Sequence, residues 1–247
     1  MKTMKSTNPQ YVTSAKTPSA YGVPGRMRRL TTLAALLLAL ATTASTVSAG
    51  VFPINSRPLG KSYGEWGTLW WQWILNVPAA DLPALDTGAG QTGPVWFLFG
   101  TFGDSVEHTV TIPAGKAILL PVHQWIFGAT VNDCEPSVPG VTCDIPTLRA
   151  SAAAATTSAT VLEASIDGQP VSNLRNYRAL SPDSFSVTLP EGNILGFPAG
   201  TYSPHVADGY WLMLTPLSVG QHTIVVHAVN PAFSIDYTVT YHITIKP

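Results

Sequence analysis

The strongest pattern in the chain is a run of aromatic residues at helical spacing between Ser62 and Pro78, SYGEWGTLWWQWILNVP. Ser62 and Glu65 have the spacing of a capping box, and Pro78 ends the segment because it cannot donate the next hydrogen bond. At about 100° per residue the apolar side chains fall within one arc. The members of this arc are Tyr63, Trp66, Leu69, Trp70, Trp73 and Ile74. The pattern predicts an amphipathic helix whose aromatic face packs into the core.

Trp71 falls outside this arc and is predicted to project away from it, beside Gly64 and Gly67. A glycine within a helix costs about 1 kcal/mol relative to alanine. Two such glycines indicate that another group approaches the helix backbone closely. We expect that this group is another segment of the chain, and a ligand is the alternative.

Most of the remaining chain shows strand patterns. A continuous apolar run, 95–99, predicts a buried strand, and alternating or apolar stretches predict strands at 108–112, 117–122, 161–166, 184–189, 210–215, 221–229 and 235–245. An Ala-rich helix is predicted from Pro146 to about Ala159, with Asp144 as a cap. The stretch Gly192 to Gly209 is predicted to be a long irregular loop of the kind that often carries function. Together these patterns predict a mainly β fold, an antiparallel β-sandwich with one Trp-rich amphipathic helix and one Ala-rich helix.

Residues 1–49 have the features of a secretory signal peptide. A basic cluster beginning at Arg26 precedes a short apolar run and the small-residue site Val47-Ser48-Ala49. We therefore expect a mature chain from Gly50, with residues 50–247 forming a single secreted or periplasmic domain. Residues 1–25 are a long prefix for such a signal, so Met27 is an alternative translation start.

Charge changes the picture once the leader is removed. Six of the 13 Lys and Arg residues and none of the 14 Asp and Glu residues lie in the leader, which leaves a formal charge of −7. Binding to nucleic acid requires clustered basic residues, so this class of partner is disfavoured. No second apolar stretch approaches membrane-spanning length.

Cys134 and Cys143 are predicted to form a local disulfide, as expected for a secreted chain. A metal site is disfavoured because no further metal ligands lie near these two cysteines in the sequence. No metal site and no cofactor are predicted.

Some constellations have plain structural alternatives. Asp86-Thr87-Gly88 matches the signature of aspartic proteases, but that mechanism needs two such Asp residues and the motif occurs once. We predict an accidental match. His222 and His242 would suggest a metal site if they faced each other, but alternation of buried positions shifts the register by one and places them on opposite faces. His123, in Pro121-Val122-His123-Gln124-Trp125, stays ambiguous.

The most site-like segment is TYSPHVADGYW, residues 201–211, which carries Tyr202, His205 and Asp208. Arg178 lies in another segment rich in Arg and Tyr. Aromatic side chains stack on sugar rings and arginine binds carboxylates, so these residues predict a sugar or carboxylate site with Trp71 as a neighbour. The alternative is that the aromatic residues pack in the core and Arg178 balances a nearby acid.

The segments YGEWGTLWWQW, GPVWFLFGTF, IPAGKAILLPV and GTYSPHVADGYWLMLTPLSVGQHT resemble a group of uncharacterised secreted bacterial proteins. The resemblance implies secretion and transfers neither a mechanism nor catalytic residues.

Three functions remain open from the sequence. The first is a secreted binding domain that recognises an extracellular glycan or a similar polymer. The second is a polysaccharide-active hydrolase or lyase in which Glu65, His205 or Asp208 supplies acid–base chemistry. The third is a surface or assembly protein without a small ligand.

Overall fold

A computed structural model of the protein describes residues 50–130 and 144–247. These residues belong to one compact unit that is mainly β, with two sheets and two α-helices. The predicted signal peptide and the predicted disulfide lie outside the described residues. Within the described ranges, no helix is long and apolar enough to span a membrane.

The helices are α1, Tyr63–Leu75, and α2, Ile145–Thr157. The strands are β1 Val95–Phe97, β2 Val106–Pro113, β3 Ala117–Gly128, β4 Val161–Ile166, β5 Gln169–Pro170, β6 Arg178–Leu180, β7 Phe185–Leu189, β8 Gly200–Leu214, β9 Gly220–Asn230 and β10 Ile235–Lys246.

The strands form two sheets that pack as a sandwich, which confirms the predicted fold class. The first sheet has the order β1-β3-β8-β6, with β7 also paired to β8, and the second has the order β2-β10-β9-β4-β5. Both sheets are mixed, because β1 pairs with β3 in parallel and β2 pairs with β10 in parallel. Between β1 and β3 the chain crosses to the other sheet to form β2, so it returns to the first sheet in its original direction.

The hairpin of β9 and β10 has the register that alternation of buried residues predicts. Val226 lies opposite Val239, and His242 lies opposite Thr223 rather than His222. Ile224 and Tyr241, which also face each other, are fully buried between the sheets. The two histidines therefore lie on opposite faces of the sheet, as predicted.

Helix α1 packs on the outer face of the first sheet and forms a second core there. The predicted capping box of Ser62 and Glu65 is present. The ring of Trp70 meets that of Trp211 edge to face at 5.5 Å, and its Nε1 donates to the carbonyl of Leu98 at 2.8 Å. An aromatic core of this kind is anchored by hydrogen bonds as well as by burial.

The buried side of α1 is rotated from the predicted arc. Trp71 is only 7% exposed and belongs to the core, whereas Leu69 and Trp73 are half-buried. The prediction that Trp71 projects away from the core is therefore wrong. The predicted close approach to the helix backbone is confirmed, because a Cβ at Gly64 would overlap the carbonyl oxygen of Leu180. The side of α1 that carries Gly64 and Gly67 is therefore the side that packs against the first sheet.

The predicted irregular loop from Gly192 to Gly209 is wrong in its second half, because β8 already begins at Gly200. This strand pairs with β3 on one side and with β7 and β6 on the other. A Cβ at Gly209 would lie 2.6 Å from the Cα of Gln124. Here glycine marks a close approach of two strand backbones rather than a turn.

Helix α2 confirms the Ala-rich prediction. The side chain of Asp144 accepts a hydrogen bond from the backbone N–H of Thr147 at 3.1 Å and caps the first turn. Leu148 and Ala152 pack on Val206 of β8. Alanine keeps this face flat, so the helix lies close to the end of the first sheet.

We expect Gly64→Ala to destabilise the protein more than Gly67→Ala. Both changes gain about 1 kcal/mol of helix propensity. The methyl group at Gly64 overlaps the backbone oxygen of Leu180, whereas at Gly67 it lies 3.1 Å from the ring of Trp211. The expected net loss for Gly64→Ala is about 3 kcal/mol in a urea titration. Equal stability of the two variants would contradict this packing.

Candidate binding cleft

A cleft of about 280 Å³ opens beside β3, just beyond the end of β1. Strand β1 pairs only with residues 117–119 of β3, whereas β3 continues to Gly128. Helix α1 contributes Trp71 and Leu75 to one side of the cleft. Phe102, from the loop after β1, and Trp125 of β3 are further lining residues. The short β1 therefore leaves one edge of β3 open, and aromatic side chains surround that opening.

One lining residue of the cleft, Phe102, is an exposed aromatic side chain, and a second exposed aromatic side chain, Phe233, packs on the lining residue Trp125. Phe102 is 56% exposed and packs on Phe99 with ring centroids 5.6 Å apart. Phe233 is 45% exposed and packs on Trp125 at 4.4 Å. Exposed aromatic groups that border an apolar cleft are typical of a binding surface.

Two residues that line the cleft carry buried polar atoms without a partner. Nε1 of Trp71 and Oε1 of Gln124 make no hydrogen bond within the described part of the chain. An unsatisfied buried donor or acceptor costs about 1–3 kcal/mol. Both atoms are themselves buried, so a ligand in the cleft would meet them only after a small movement of the wall.

His123 forms part of the cleft wall as a neutral side chain. Its Nε2 accepts hydrogen bonds from Nε1 of Trp125 at 3.0 Å and from Nδ2 of Asn230 at 3.1 Å. The proton therefore resides on Nδ1, which faces the hydroxyl of Tyr237 at 3.5 Å. Burial lowers the pKa of His123 to about 4. Among the described lining residues none is acidic and His123 is the only basic side chain, so the cleft carries no charge at neutral pH.

The structure brings two of the sequence-predicted site residues together, but as a buried ion pair. Nε and Nη2 of Arg178 donate to the carboxylate of Asp208 at 2.9 and 2.6 Å, and Nη1 donates to Thr157 Oγ1 at 3.0 Å. The hydrogen bond to Asp208 is the main cause that raises the pKa of Arg178. Asp208 is 1% exposed. The fork of the guanidinium is thus engaged in tying β6 and β8 to α2, which differs from the predicted ligand-binding role.

His205 and Tyr202 lie elsewhere along β8. His205 is fully buried, its Nε2 lies 2.8 Å from Thr130 Oγ1, and burial lowers its pKa to about 4. The hydroxyl of Tyr202 donates to the carbonyl of Pro198 at 2.8 Å. Neither these two residues nor Arg178 and Asp208 line the cleft, whereas Trp71 does. Of the predicted ligand-binding residues, the geometry therefore favours Trp71.

Glu65 serves the start of α1. Its carboxylate accepts hydrogen bonds from the backbone N–H of Ser62 at 2.7 Å and from Nη2 of Arg57 at 2.9 Å. The hydrogen bonds from Ser62 lower the pKa of Glu65. A general acid at neutral pH requires a raised pKa, so this environment favours a structural role.

Asp86, in the protease-like motif, pairs with His108. Its carboxylate accepts from Nδ1 of His108 at 2.9 Å, and Nε2 of His108 donates to the carbonyl of Gly100 at 3.0 Å. Burial by itself lowers the pKa of His108, but Asp86 and the Gly100 carbonyl outweigh it, so the pKa is raised. The two residues are 22 positions apart in the chain, so no local sequence pattern predicts this pairing.

His222 has the same arrangement, between the carboxylate of Asp167 at 2.7 Å and the carbonyl of Ser218 at 2.9 Å. Burial by itself lowers the pKa of His222, but the hydrogen bonds that the imidazole donates to the Asp167 carboxylate and the Ser218 carbonyl outweigh it, so the pKa is raised. The Oγ of Ser218 lies 3.4 Å from Nε2, but that nitrogen donates to the carbonyl instead of accepting the hydroxyl proton. A catalytic base needs an open nitrogen, and neither His108 nor His222 has one. No group of three or more His, Cys, Asp or Glu side chains within the described ranges is arranged to hold a metal ion.

Sequence reasoning missed the cleft residues Gln124, Trp125 and Phe102. The segment from Pro121 to Trp125 was singled out only for its histidine. The pairing register between β3 and β8 changes between Pro121 and His123, which indicates a β-bulge. Such a bulge redirects side chains, and a regular alternation pattern does not reveal it.

Comparison with known proteins adds little to this geometry. No protein-family model matches the chain, and no curated protein matches it. Among solved structures, it is similar to one titled "Structure of PbICP-C in complex with falcipain-2", with 13% identity and a TM-score of 0.23, covering 62% of this chain and 100% of that chain. A likeness at this TM-score supports no conclusion about fold or function.

We expect Arg178→Ala to lower the free energy of unfolding by about 3–5 kcal/mol, because it leaves the buried carboxylate of Asp208 without its partner. Chemical denaturation measures this loss. Arg175→Ala is the matched control and should cost less, since within the described residues Arg175 donates to the carbonyls of Ala159 and Thr160 and not to a buried carboxylate. Unchanged stability of Arg178→Ala together with lost ligand binding would instead support the predicted ligand-binding role of Arg178.

We expect stability to fall on both sides of neutral pH. His123 and His205 have lowered pKa values, so their contribution is complete above about pH 6.5 and is lost as the pH falls towards 4. His108 and His222 have raised pKa values, so their contribution is complete below about pH 6.5 and is lost as the pH rises through those values.

Each histidine should contribute a slope of at most about 1.4 kcal/mol per pH unit to the free energy of unfolding. Urea titrations at a series of pH values measure this slope. His205→Gln should flatten the acid side, and His108→Gln should flatten the alkaline side. The assignments fail if both variants keep the wild-type profile.

Proposed function

We propose that the protein is a secreted or periplasmic binding domain and that the cleft beside β3 receives an uncharged sugar unit of an extracellular glycan. The observation that carries this proposal is the combination of aromatic walls with no charged side chain in the described lining. Aromatic faces pack on the C–H faces of sugar rings, and a neutral lining avoids the desolvation cost of a buried charge.

The unpartnered polar atoms support a hydroxylated ligand. A sugar hydroxyl both donates and accepts hydrogen bonds, so a ligand that displaces the neighbouring wall atoms would pair with both Nε1 of Trp71 and Oε1 of Gln124. The exposed ring of Phe102 extends the apolar surface beyond the cleft, which suits a polymer longer than one sugar unit.

Binding is favoured over polysaccharide cleavage. Glycoside hydrolysis uses a pair of carboxyl groups that flank the scissile bond, about 5–10 Å apart. The described lining of the cleft contains no carboxyl group. His123 is committed to hydrogen bonds with Trp125, Asn230 and Tyr237, so it is not positioned for proton transfer to a ligand.

We expect the mature protein to bind neutral oligosaccharides from a panel of linear hexasaccharides, measured by tryptophan fluorescence and by calorimetry. Gln124→Met keeps the length of the side chain but removes the amide, and Phe102→Ala removes the exposed ring. Each change should weaken binding by about tenfold, or about 1.4 kcal/mol.

Val219→Ala is the matched control, because Val219 is an exposed apolar residue in the turn before β9 and does not line the cleft. It should leave binding unchanged, and all three variants should keep the wild-type melting temperature. The proposal is refuted if no neutral member of the panel binds, or if the control loses affinity as strongly as the cleft variants.

A further inference from the structure

A second cleft, of about 390 Å³, lies at the opposite end of β1 and has a different chemistry. Its lining includes Lys116 and Lys246 and no acidic side chain among the described residues. Pro247 also lines it, and the main-chain carboxylate of this last residue offsets part of the positive charge of the two lysines. Acidic residues outnumber basic ones in the chain as a whole once the leader is set aside. Two lysines in one concave site are therefore an exception to the charge distribution.

The fold brings the two lysines together. Lys246 ends β10 and lies beside Pro113 in the parallel pair with β2. The turn after Pro113 leads within three residues to Lys116, which directly precedes β3. Neither ammonium group forms an ion pair within the described residues, in contrast to Arg57 and Arg178, each of which has a carboxylate partner.

Lys116 is held in place without being neutralised. Its Nζ donates to the carbonyl of Gly93, which is an uncharged acceptor. An ammonium group has three donors, so two remain for a ligand. Lys116 is half-buried and Lys246 is exposed, so the positive charge reaches the cleft from its wall and from its rim.

The loop that forms another wall of this cleft is fixed by specific contacts. The side-chain amide of Gln91 donates to the carbonyl of Phe97 at 2.8 Å and accepts from the backbone N–H of Phe97 at 3.0 Å. These two hydrogen bonds imitate those that the backbone of a neighbouring strand would make. Gly88 has φ +93°, and a Cβ there would lie 2.7 Å from the ring of Trp96. The loop can therefore lie against Trp96 only because this position is glycine.

Trp96 supplies a second observation besides the lysines. It lines the cleft, it is buried, and its Nε1 has no hydrogen-bond partner among the described residues. A ligand with several acceptor oxygens could satisfy such a donor together with two ammonium groups. Oxyanions are rich in acceptors and carry the complementary charge.

We propose that this second cleft, the Lys116–Lys246 cleft, binds a compact oxyanion group, the carboxylate or phosphate of a small organic anion. The site is separate from the uncharged cleft beside Trp71 and does not depend on the function proposed for it. Its volume exceeds that of an isolated inorganic anion, so the charged group is held by the lysines while the organic part occupies the remaining space.

The test is a nuclear magnetic resonance titration of the mature protein with sodium phosphate, sodium glucuronate and uncharged glucose, each at matched ionic strength. An N-terminal purification tag leaves Pro247, which also lines the cleft, unmodified. We expect phosphate or glucuronate to shift the backbone signals of Gly88, Thr92 and Gly93, and glucose to leave them in place. Affinity should fall when sodium chloride rises from about 20 mM to about 200 mM, because salt screens the attraction.

Two variants separate binding from folding. Lys246→Gln changes an exposed side chain without an ion pair and should weaken anion binding at least threefold while the fold is kept. Lys116→Gln should weaken it at least as much. Lys61→Gln is the matched control, because Lys61 lies in another cleft together with Glu65 and Asp183, and it should leave binding unchanged.

The relative response to phosphate and glucuronate identifies the charged group that the site prefers. The proposal is overturned if neither anion shifts these signals, if glucose shifts them equally, or if Lys61→Gln weakens binding as much as Lys246→Gln. Failure of neutral oligosaccharide binding at the Trp71 cleft would leave this outcome unaffected, because the two sites share no lining residue.

Discussion

The position of the aromatic core follows from the close contact between α1 and the first sheet. Gly64 and Gly67 have no side chains, so the helix backbone approaches the carbonyl of Leu180 and the ring of Trp211. This approach fixes the rotation of the helix and buries Trp70 and Trp71 against the sheet. It also places Trp71 at the edge of β3, where the uncharged cleft opens.

Buried polar groups inside the fold are mostly satisfied by one another. Asp208 is paired with Arg178, and His123 is held among Trp125, Asn230 and Tyr237. These contacts connect helices and strands that are distant in sequence. Burying these groups carries a desolvation penalty, which their hydrogen bonds offset. Their main effect is therefore to specify how the helices and sheets pack together, and their net contribution to stability is small. Nε1 of Trp71 and Oε1 of Gln124 are among the buried polar atoms without a partner in the described residues, and both residues line the uncharged cleft.

The shortness of β1 explains where both clefts lie. Three residues of β1 pair with the start of β3, and the remainder of β3 has only β8 as a described strand neighbour. Beyond the end of β1, aromatic residues from α1 and from the loop at Phe102 surround the open edge. Before its start, the glycine-rich loop and the chain ends of β2 and β10 enclose the two lysines. One strand thus separates an uncharged surface from a basic one.

Local sequence patterns predict both helices, most of the strands and the fold class, but not the short strands β5 and β6. The capping box, the alternation in the last strands and the Ala-rich run are local signals, so α1, α2 and the β9–β10 register followed from residues close together in the chain. Long-range packing sets which side of α1 is buried, that 200–209 is strand, and that Arg178 and Asp208 are a buried pair. Each of these depends on a partner far away in sequence: Trp211 and Leu180 for the helix, Gln124 for Gly209, and α2 for Arg178. A local pattern records the tendency of a segment, but the approach of a distant backbone or charge is decided only when the whole chain has folded.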